Sequence, residues 1–284
     1  VTLLKVQTIP DIRRQLDPIR AERRVIGLVP TMGALHAGHA SLIKRAREEC
    51  DTVVVSIFVN PLQFGPDEDY LRYPRPIEKD LAVCSDYGVD LVFAPEVGDI
   101  YTVPQLTFAE VTRLDAHLCG PFRPGHFRGV ATVVLKLFNI TCPDRAYFGE
   151  KDYQQLCIIR RMVEDLNLAV TIVPMPIFRE PDGLAMSSRN VYLQPGERAS
   201  ATVLIRALET ARKSIQSGER KPDVVKEAAK HVFSTEGSVR PDYLEIVDTR
   251  EVQPVSEITG AVRIAGAVWV GRTRLIDNVE ASPS

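Results

Sequence analysis

The chain has 284 residues, 45% hydrophobic and 25% charged, with a formal net charge of −2. That length suits one large domain or two smaller ones, and a charge so close to zero excludes a general nucleic-acid footprint. The five cysteines include no Cys-x-x-Cys pair, so neither a zinc-thiolate site nor a disulfide framework is expected. Reduced thiols in a cytoplasmic protein account for them better. Residues 1–10 do not read as a signal peptide. No apolar run reaches the roughly 18 residues of a membrane helix.

In chain order, residues 10–24 predict a helix with Ile12, Leu16 and Ile19 on one side and Pro18 interrupting it. Residues 24–29 form a short apolar run that predicts a buried strand. A glycine-bearing loop follows, Pro30-Thr31-Met32-Gly33-Ala34-Leu35-His36-Ala37-Gly38-His39, and then apolar residues at helical spacing from Ala40. Residues 51–59 are a second β-branched strand, so strand, helix and strand make a βαβ unit with parallel strands. Asn60 to Gly65 leaves the carboxyl end of that strand, where open parallel sheets gather ligands. The loop continues through Asp67 to Tyr73.

A helix over 76–87, with Leu81 and Cys84 inward, and a strand over 90–94 come next. Residues 98–112 are polar-interrupted and read as an excursion. The turn-rich basic loop 120–129 leads into a helix whose Val130, Val133, Val134, Leu137 and Phe138 share one face. Strands at 145–148 and 169–173 flank a helix with Leu156, Ile159, Val163 and Leu166 inward. Residues 196–217 and 222–235 read as helices, followed by strands near 243–247, 262–270 and 274–276. Helices grouped before strands predict a small α+β domain. The expected architecture is therefore α/β: a Rossmann-like parallel-sheet domain over 1–178 and a smaller α+β domain over 179–284.

Several groups could carry chemistry. A helix N-terminus offers unpaired N–H groups and a positive dipole end, a natural phosphate site. His36 and His39, three residues apart at such a start, stack one above the other. The alternatives are two solvated polar residues, or metal ligands, for which no complementary Cys or His cluster exists. Asp152 and Gln155 suit a capping arrangement. Capping has no use for Lys151, which could reach a phosphate as a point charge. Ser187, Ser188 and Arg189 form either a solvated turn or a phosphate-binding cluster of hydroxyls and guanidinium. Asn60 and Gln63 offer uncharged hydrogen bonds, or simply end a strand. Asp80 reads first as a surface charge and second as a distant magnesium contact. Arg123, His126 and Arg128 are either a substrate patch or a solvated basic loop. There is no P-loop, no Gly-x-Gly-x-x-Gly fingerprint and no Gly-x-Ser-x-Gly elbow.

Taken together, the segments 30–39, 58–64, 123–129, 148–155, 186–190 and 274–278 (Arg-Leu-Ile-Asp-Asn) closely resemble the pantoate–β-alanine ligase family. The His-x-Gly-His motif alone is shared by many nucleotidylyl transferases; the full set in this order is specific. The resemblance implies ATP contacts from Met32, Gly33, Ala34, Leu35, His36, Ala37, Gly38 and His39, from Gly149, Glu150, Lys151 and Asp152, from residue 178, and from Met186, Ser187, Ser188 and Arg189. It implies pantoate binding by Gln63 and Gln155, with Gln63 also near β-alanine, and His39 as proton donor. Asp80 falls at a position resembling a magnesium contact. Residue 178 is Phe, where a smaller aliphatic side chain is common in that family. The implied substrates are ATP, with Mg²⁺, pantoate and β-alanine, acting in a cytoplasmic homodimer with no nucleic-acid or membrane partner. His36, His39, Lys151 and Arg189 are then the catalytic set. The smaller domain would be a lid over a hydrolysable acyl adenylate. Two rivals remain at this point: another His-x-Gly-His transferase that stops after nucleotidyl transfer, and a silent nucleotide-binding protein.

Overall fold

In a computed structural model, which describes residues 3–66 and 68–284, the chain divides into two compact units. The first comprises 3–111, 123–150 and 158–176, and the second 112–122, 151–157 and 177–284. Two segments expected in the first domain, 112–122 and 151–157, therefore belong to the second unit. Asp67, expected in the loop after Phe64, lies outside the described residues.

The first unit begins with β1 (Leu4–Val6), α1 (Ile9–Ala21), β2 (Ile26–Thr31), α2 (Ala37–Glu49) and β3 (Thr52–Ile57). It continues with α3 (Ile77–Asp86), β4 (Leu91–Phe93), α4 (Val97–Ile100), α5 (His126–Thr141) and β5 (Arg145–Gly149). The helix α6 (Tyr153–Asp165) then leads to β6 (Thr171–Met175). Among the described residues, six strands form a parallel sheet in the order β1-β4-β3-β2-β5-β6. Val29, Val53, Val55 and Val92 meet Leu42, Ile43 and Ala46 of α2 and Cys84 of α3 in one buried cluster. The chain runs from β2 outward to β3 and β4, then crosses back to β5. The loops after β2 and β5 thus leave the sheet side by side, at the point where strand order reverses and ligands bind in such sheets.

The second unit adds α7 (Pro195–Ala201), α8 (Val203–Gln216), α9 (Pro222–Phe233), β7 (Val239–Asp248), β8 (Val262–Val270) and β9 (Thr273–Ala281). Strands β7, β8 and β9 form an antiparallel meander among the described residues. Their apolar face, with Ile264, Val268, Leu275 and Val279, buries Leu204, Leu208, Ala211 and Ile215 of α8.

Several local expectations change. Pro30 and Thr31 belong to β2 rather than to the loop, because their backbones continue the pairing with Ser56 and Ile57. The helix α5 starts at His126, inside the stretch read as a basic loop. Leu166, expected inward, is 51% exposed because α6 ends at Asp165. Leu81 is only partly buried, while its neighbour Asp80 is buried. The predicted 196–217 helix breaks at Thr202 into α7 and α8. The short strand β1 carried no periodic signal in three residues.

Candidate active site

In the first unit, the loop after β2 is held from two sides. The Thr31 hydroxyl donates to Ser56 O (2.7 Å) and accepts from Gly33 N (3.1 Å). Gly33 has φ +80°, and a Cβ there would lie 2.9 Å from Asp80 Oδ2 and 3.1 Å from Ile57 Cγ2. Asp80 Oδ2 accepts from Ala34 N (2.9 Å) and Oδ1 from Leu35 N (2.7 Å). Asp80 is therefore no surface charge: it is 2% exposed and anchors the loop from α3. Burial raises its pKa, against the two N–H bonds that favour the carboxylate. Each Asp80 oxygen accepts one backbone N–H, so the position expected as a distant magnesium contact is tied first to the loop. Among the described residues no group of three or more His, Cys, Asp or Glu could hold a metal ion.

His36 and His39 cap α2 reciprocally. His36 Nδ1 accepts from Gly38 N (3.2 Å), and His39 Nδ1 accepts from His36 N (3.3 Å). A ring nitrogen that accepts carries no proton, so each neutral imidazole bears its hydrogen on Nε2. The rings lie 4.0 Å apart, tilted by 34°. The expected stacking is present, and the caps engage Nδ1 of both rings, so the hydrogen on each Nε2 is not used by the cap.

The turn after β3 is a connected network. Asn60 caps the 3₁₀ turn Pro61–Gln63 by accepting from Leu62 N (3.2 Å), and receives the Tyr101 hydroxyl (2.8 Å). Its Nδ2 donates to Gln63 Oε1 (3.0 Å) and to Gly129 O (3.0 Å). Gln63 Nε2 donates to Met32 Sδ (3.1 Å), which joins this turn to the loop after β2. Gln63 O accepts from His126 Nδ1 (2.7 Å), while His126 Nε2 accepts from Arg123 Nη1 (3.0 Å). Arg123 is in turn bidentate to Glu68 (2.8 and 2.5 Å). Arg123 and His126 are thus neither a substrate patch nor a solvated loop; they brace the Gln63 backbone. Arg128 lies over the Phe108 ring, 4.8 Å from its centroid. Gly129 permits the close packing of α5 on this turn: a Cβ there would meet Leu62 O at 2.2 Å. Gly149 ends β5, the strand paired with β2, and Glu150 follows it.

The remaining candidates belong to the second unit. Lys151 and Asp152 lie in the 3₁₀ turn Glu150–Asp152 that precedes α6, and Lys151 Nζ is 3.8 Å from Asp152 Oδ2. Asp152 ends this turn and directly precedes α6, which places it at the expected N-cap position and Gln155 at N3. Gln155 is half-buried on the first turn of α6. Phe178 is 42% exposed, and its carbonyl accepts from Met186 N (3.0 Å), closing a hairpin with an Arg179–Ala185 bridge. Ser187 Oγ accepts from Arg189 N (3.3 Å) and caps the 3₁₀ turn Ser188–Tyr192. This loop is held by charge. Arg198 donates to Glu180 (2.7 and 3.2 Å) and Asp182 (2.8 Å), and Asn190 Nδ2 donates to Glu180 Oε1 (2.7 Å). The Arg198 hydrogen bonds hold both carboxyls below their ordinary pKa values.

The family model for pantoate–β-alanine ligase matches residues 4–280. The chain belongs to the pantoate–β-alanine ligase family. It is 52% identical over 273 residues to the pantothenate synthetase of Thermotoga petrophila, covering 96% of this chain and 98% of that one. It is 56% identical over 258 residues to that of Heliobacterium modesticaldum, covering 91% and 92%. Among solved structures, the pantothenate synthetase of Thermus thermophilus superposes with a TM-score of 0.94 at 47% identity, covering 99% of this chain and 100% of that one. The pantoate–β-alanine ligase of Francisella tularensis, complexed with β-γ ATP and β-alanine, does so with a TM-score of 0.80 at 34% identity, covering 98% and 97%.

Within this pantoate–β-alanine ligase fold, the first unit brings together the 32–39 loop, Asn60, Gln63 and Asp80. The second unit holds Lys151, Asp152, Gln155, Phe178 and 186–189. Sequence reasoning missed Tyr101, the bracing role of His126, and Gln154, which is buried and ties Leu114 O, His117 O and Cys119 N to α6. His126 and Gln154 each carried a signal, their places in Arg-Pro-Gly-His-Phe-Arg-Gly and in the 148–155 segment; Tyr101 carried none. A groove of about 840 Å³ in the second unit, bordered by Lys226, Lys230, Phe233, Tyr243 and Leu244, contains none of the candidate residues.

Proposed function

We infer that this chain condenses (R)-pantoate with β-alanine, using ATP, to give pantothenate, AMP and pyrophosphate. Membership of the pantoate–β-alanine ligase family across residues 4–280 carries the reading. A pantoate carboxylate oxygen attacks the α-phosphorus of ATP and the bond to pyrophosphate breaks. The β-alanine amine then attacks the acyl carbon of the pantoyl adenylate, AMP leaves, and the amine loses a proton. No protein nucleophile is needed; adenylyl transfer asks for positioning and charge neutralisation.

His36 and His39 supply Nε2–H donors beside the N-terminus of α2 for the departing pyrophosphate, with His39 as the proton donor. Met32 to His39, with Gly149, Glu150 and Asp152, cradle the nucleotide through backbone groups. Lys151 acts as a point charge on the phosphates, and Ser187, Ser188 and Arg189 add hydroxyl and guanidinium donors. Met186 and Phe178 line the adenine side. Gln63, Gln155 and Asn60 hold pantoate through uncharged groups, which leave its carboxylate nucleophilic; Gln63 also serves β-alanine. Magnesium arrives on the nucleotide as part of the substrate. The same reading includes a cytoplasmic homodimer.

The test is pyrophosphate and AMP release by the purified protein. With pantoate and ATP alone, pyrophosphate forms and the acyl adenylate stays bound; adding β-alanine releases AMP and pantothenate. Pyrophosphate formation with no dependence of AMP release on β-alanine overturns the reading in favour of a simple nucleotidyl transferase.

A further inference from the structure

The Arg-Leu-Ile-Asp-Asn stretch at 274–278 lies on β9 and contributes two buried polar neighbours. Asp277 and Asn278 are 4% and 3% exposed. Buried polar groups persist where they have partners, and here the partners lie on segments that bear candidate catalytic groups. Asn278 Nδ2 donates to Lys151 O (3.0 Å), and Asn278 Oδ1 accepts from Arg263 Nη1 (3.2 Å). Asp277 binds Arg179 with both oxygens (2.7 and 3.0 Å) and accepts from Asn278 N (2.8 Å). Arg179 also donates to Gly183 O (3.0 Å), inside the hairpin that leads to Met186 and Arg189. One rigid strand therefore grips two segments: the short 3₁₀ turn of Lys151 and the base of the 178–186 hairpin. Arg263 adds support, with its guanidinium 3.9 Å from the centroid of Tyr153, two residues beyond Lys151.

We propose that Asn278, seated by the Asp277–Arg179 pair, is a positioning residue that sets the Lys151 backbone and so aims its ammonium group at the nucleotide phosphates. The proposal rests on the phosphate role given to Lys151 above. Tyr153 and Gln154 fix the start of α6, and the Asn278 amide adds a bond to the Lys151 carbonyl itself. A displacement of about 1 Å in a catalytic group costs up to roughly 10²-fold in rate. The amide is suited to the task, because its nitrogen donates to the Lys151 carbonyl while its oxygen accepts from Arg263. Asn278→Asp keeps the shape and the contact to Arg263, but turns the donor into an acceptor facing the Lys151 carbonyl.

A double-mutant cycle on the full-length protein tests this, with pantoate-dependent pyrophosphate formation as the readout. Asn278→Asp is expected to lower kcat of this half-reaction by roughly 10–100-fold, with the KM for pantoate changed less than threefold. In a Lys151→Ala background the same substitution is expected to cost less than threefold, since the group it positions is gone. Equal costs of Asn278→Asp in the two backgrounds, or no cost in either, overturn the positioning role while leaving the Lys151 role intact. Near-normal turnover by Lys151→Ala overturns the Lys151 role itself. Asn278→Ala, which removes the donor without adding charge, is run in parallel with thermal unfolding. If neither variant unfolds cooperatively, Asn278 is a stability residue and the proposal fails.

Discussion

His39 uses Nδ1 to cap α2 and so carries its hydrogen on Nε2, the donor to which the proposed function assigns the substrate. His39→Ala should lower pantoate-dependent pyrophosphate formation by roughly 10²–10³, the scale of losing one transition-state donor. A loss confined to KM for ATP, with kcat intact, would assign His39 to ground-state binding instead. Asp80 makes the complementary case. Asp80→Asn leaves one amide nitrogen facing a backbone N–H, so the Ala34–Leu35 loop loses an acceptor. It should destabilise the protein by about 1–3 kcal/mol and weaken ATP binding as the loop shifts. Thermal unfolding and nucleotide titration measure the two effects, and an unchanged melting temperature would remove Asp80 from loop anchoring.

At the scale of elements, α5 meets the Asn60–Gln63 turn through Gly129. A methyl group there would overlap Leu62 O, C and Gln63 N, which are backbone atoms and cannot rotate aside. Gly129→Ala should therefore displace Gln63 and raise the KM for pantoate about tenfold or more, with a smaller effect on ATP binding. The 180–198 loop is held instead by charge. The Arg198 hydrogen bonds depress the pKa values of Glu180 and Asp182 below the ordinary 4.5 and 3.8. A depressed carboxylate contributes stability above its unfolded pKa and loses it as pH falls through the folded value. The gap in melting temperature between the parent protein and Arg198→Ala should accordingly be present at pH 7 and close below about pH 4. A gap that stays constant down to pH 3 would mean that Arg198 acts through packing alone.

At the scale of the whole molecule, the second unit is assembled from three stretches of chain. Cys119 Sγ lies 3.3 Å from the Tyr243 hydroxyl, Tyr153 donates to Thr249 O (2.7 Å), and Asn278 reaches Lys151 O. A fragment of residues 177–284 lacks three of these partners while keeping the buried cluster of α8, α9 and the meander. It should unfold at a lower temperature than the intact chain and expose apolar surface to a dye such as ANS. A fragment matching the intact chain in both measurements would show that 112–122 and 151–157 add nothing to the unit.

Much of this protein is legible without coordinates. The βαβ start, the amphipathic α5 and the alanine-rich helices follow from hydrophobic period, because period is a local property. The family follows from six short motifs in order, because each carries residue types that only particular chemistry requires. What period and motif cannot supply is the partner of a polar side chain. Asp80 reads as a surface charge until α3 turns it inward against a loop more than forty positions earlier in the chain. Arg123 and His126 read as a basic patch until Glu68 and the Gln63 carbonyl take them up. Asn278 stands in a motif without a role until β9 carries it to Lys151. The composition of the second unit is likewise decided by contacts between distant stretches. Burial and hydrogen-bond pairing are properties of the folded chain, and a buried polar group acquires its function from the partner that makes its burial tolerable.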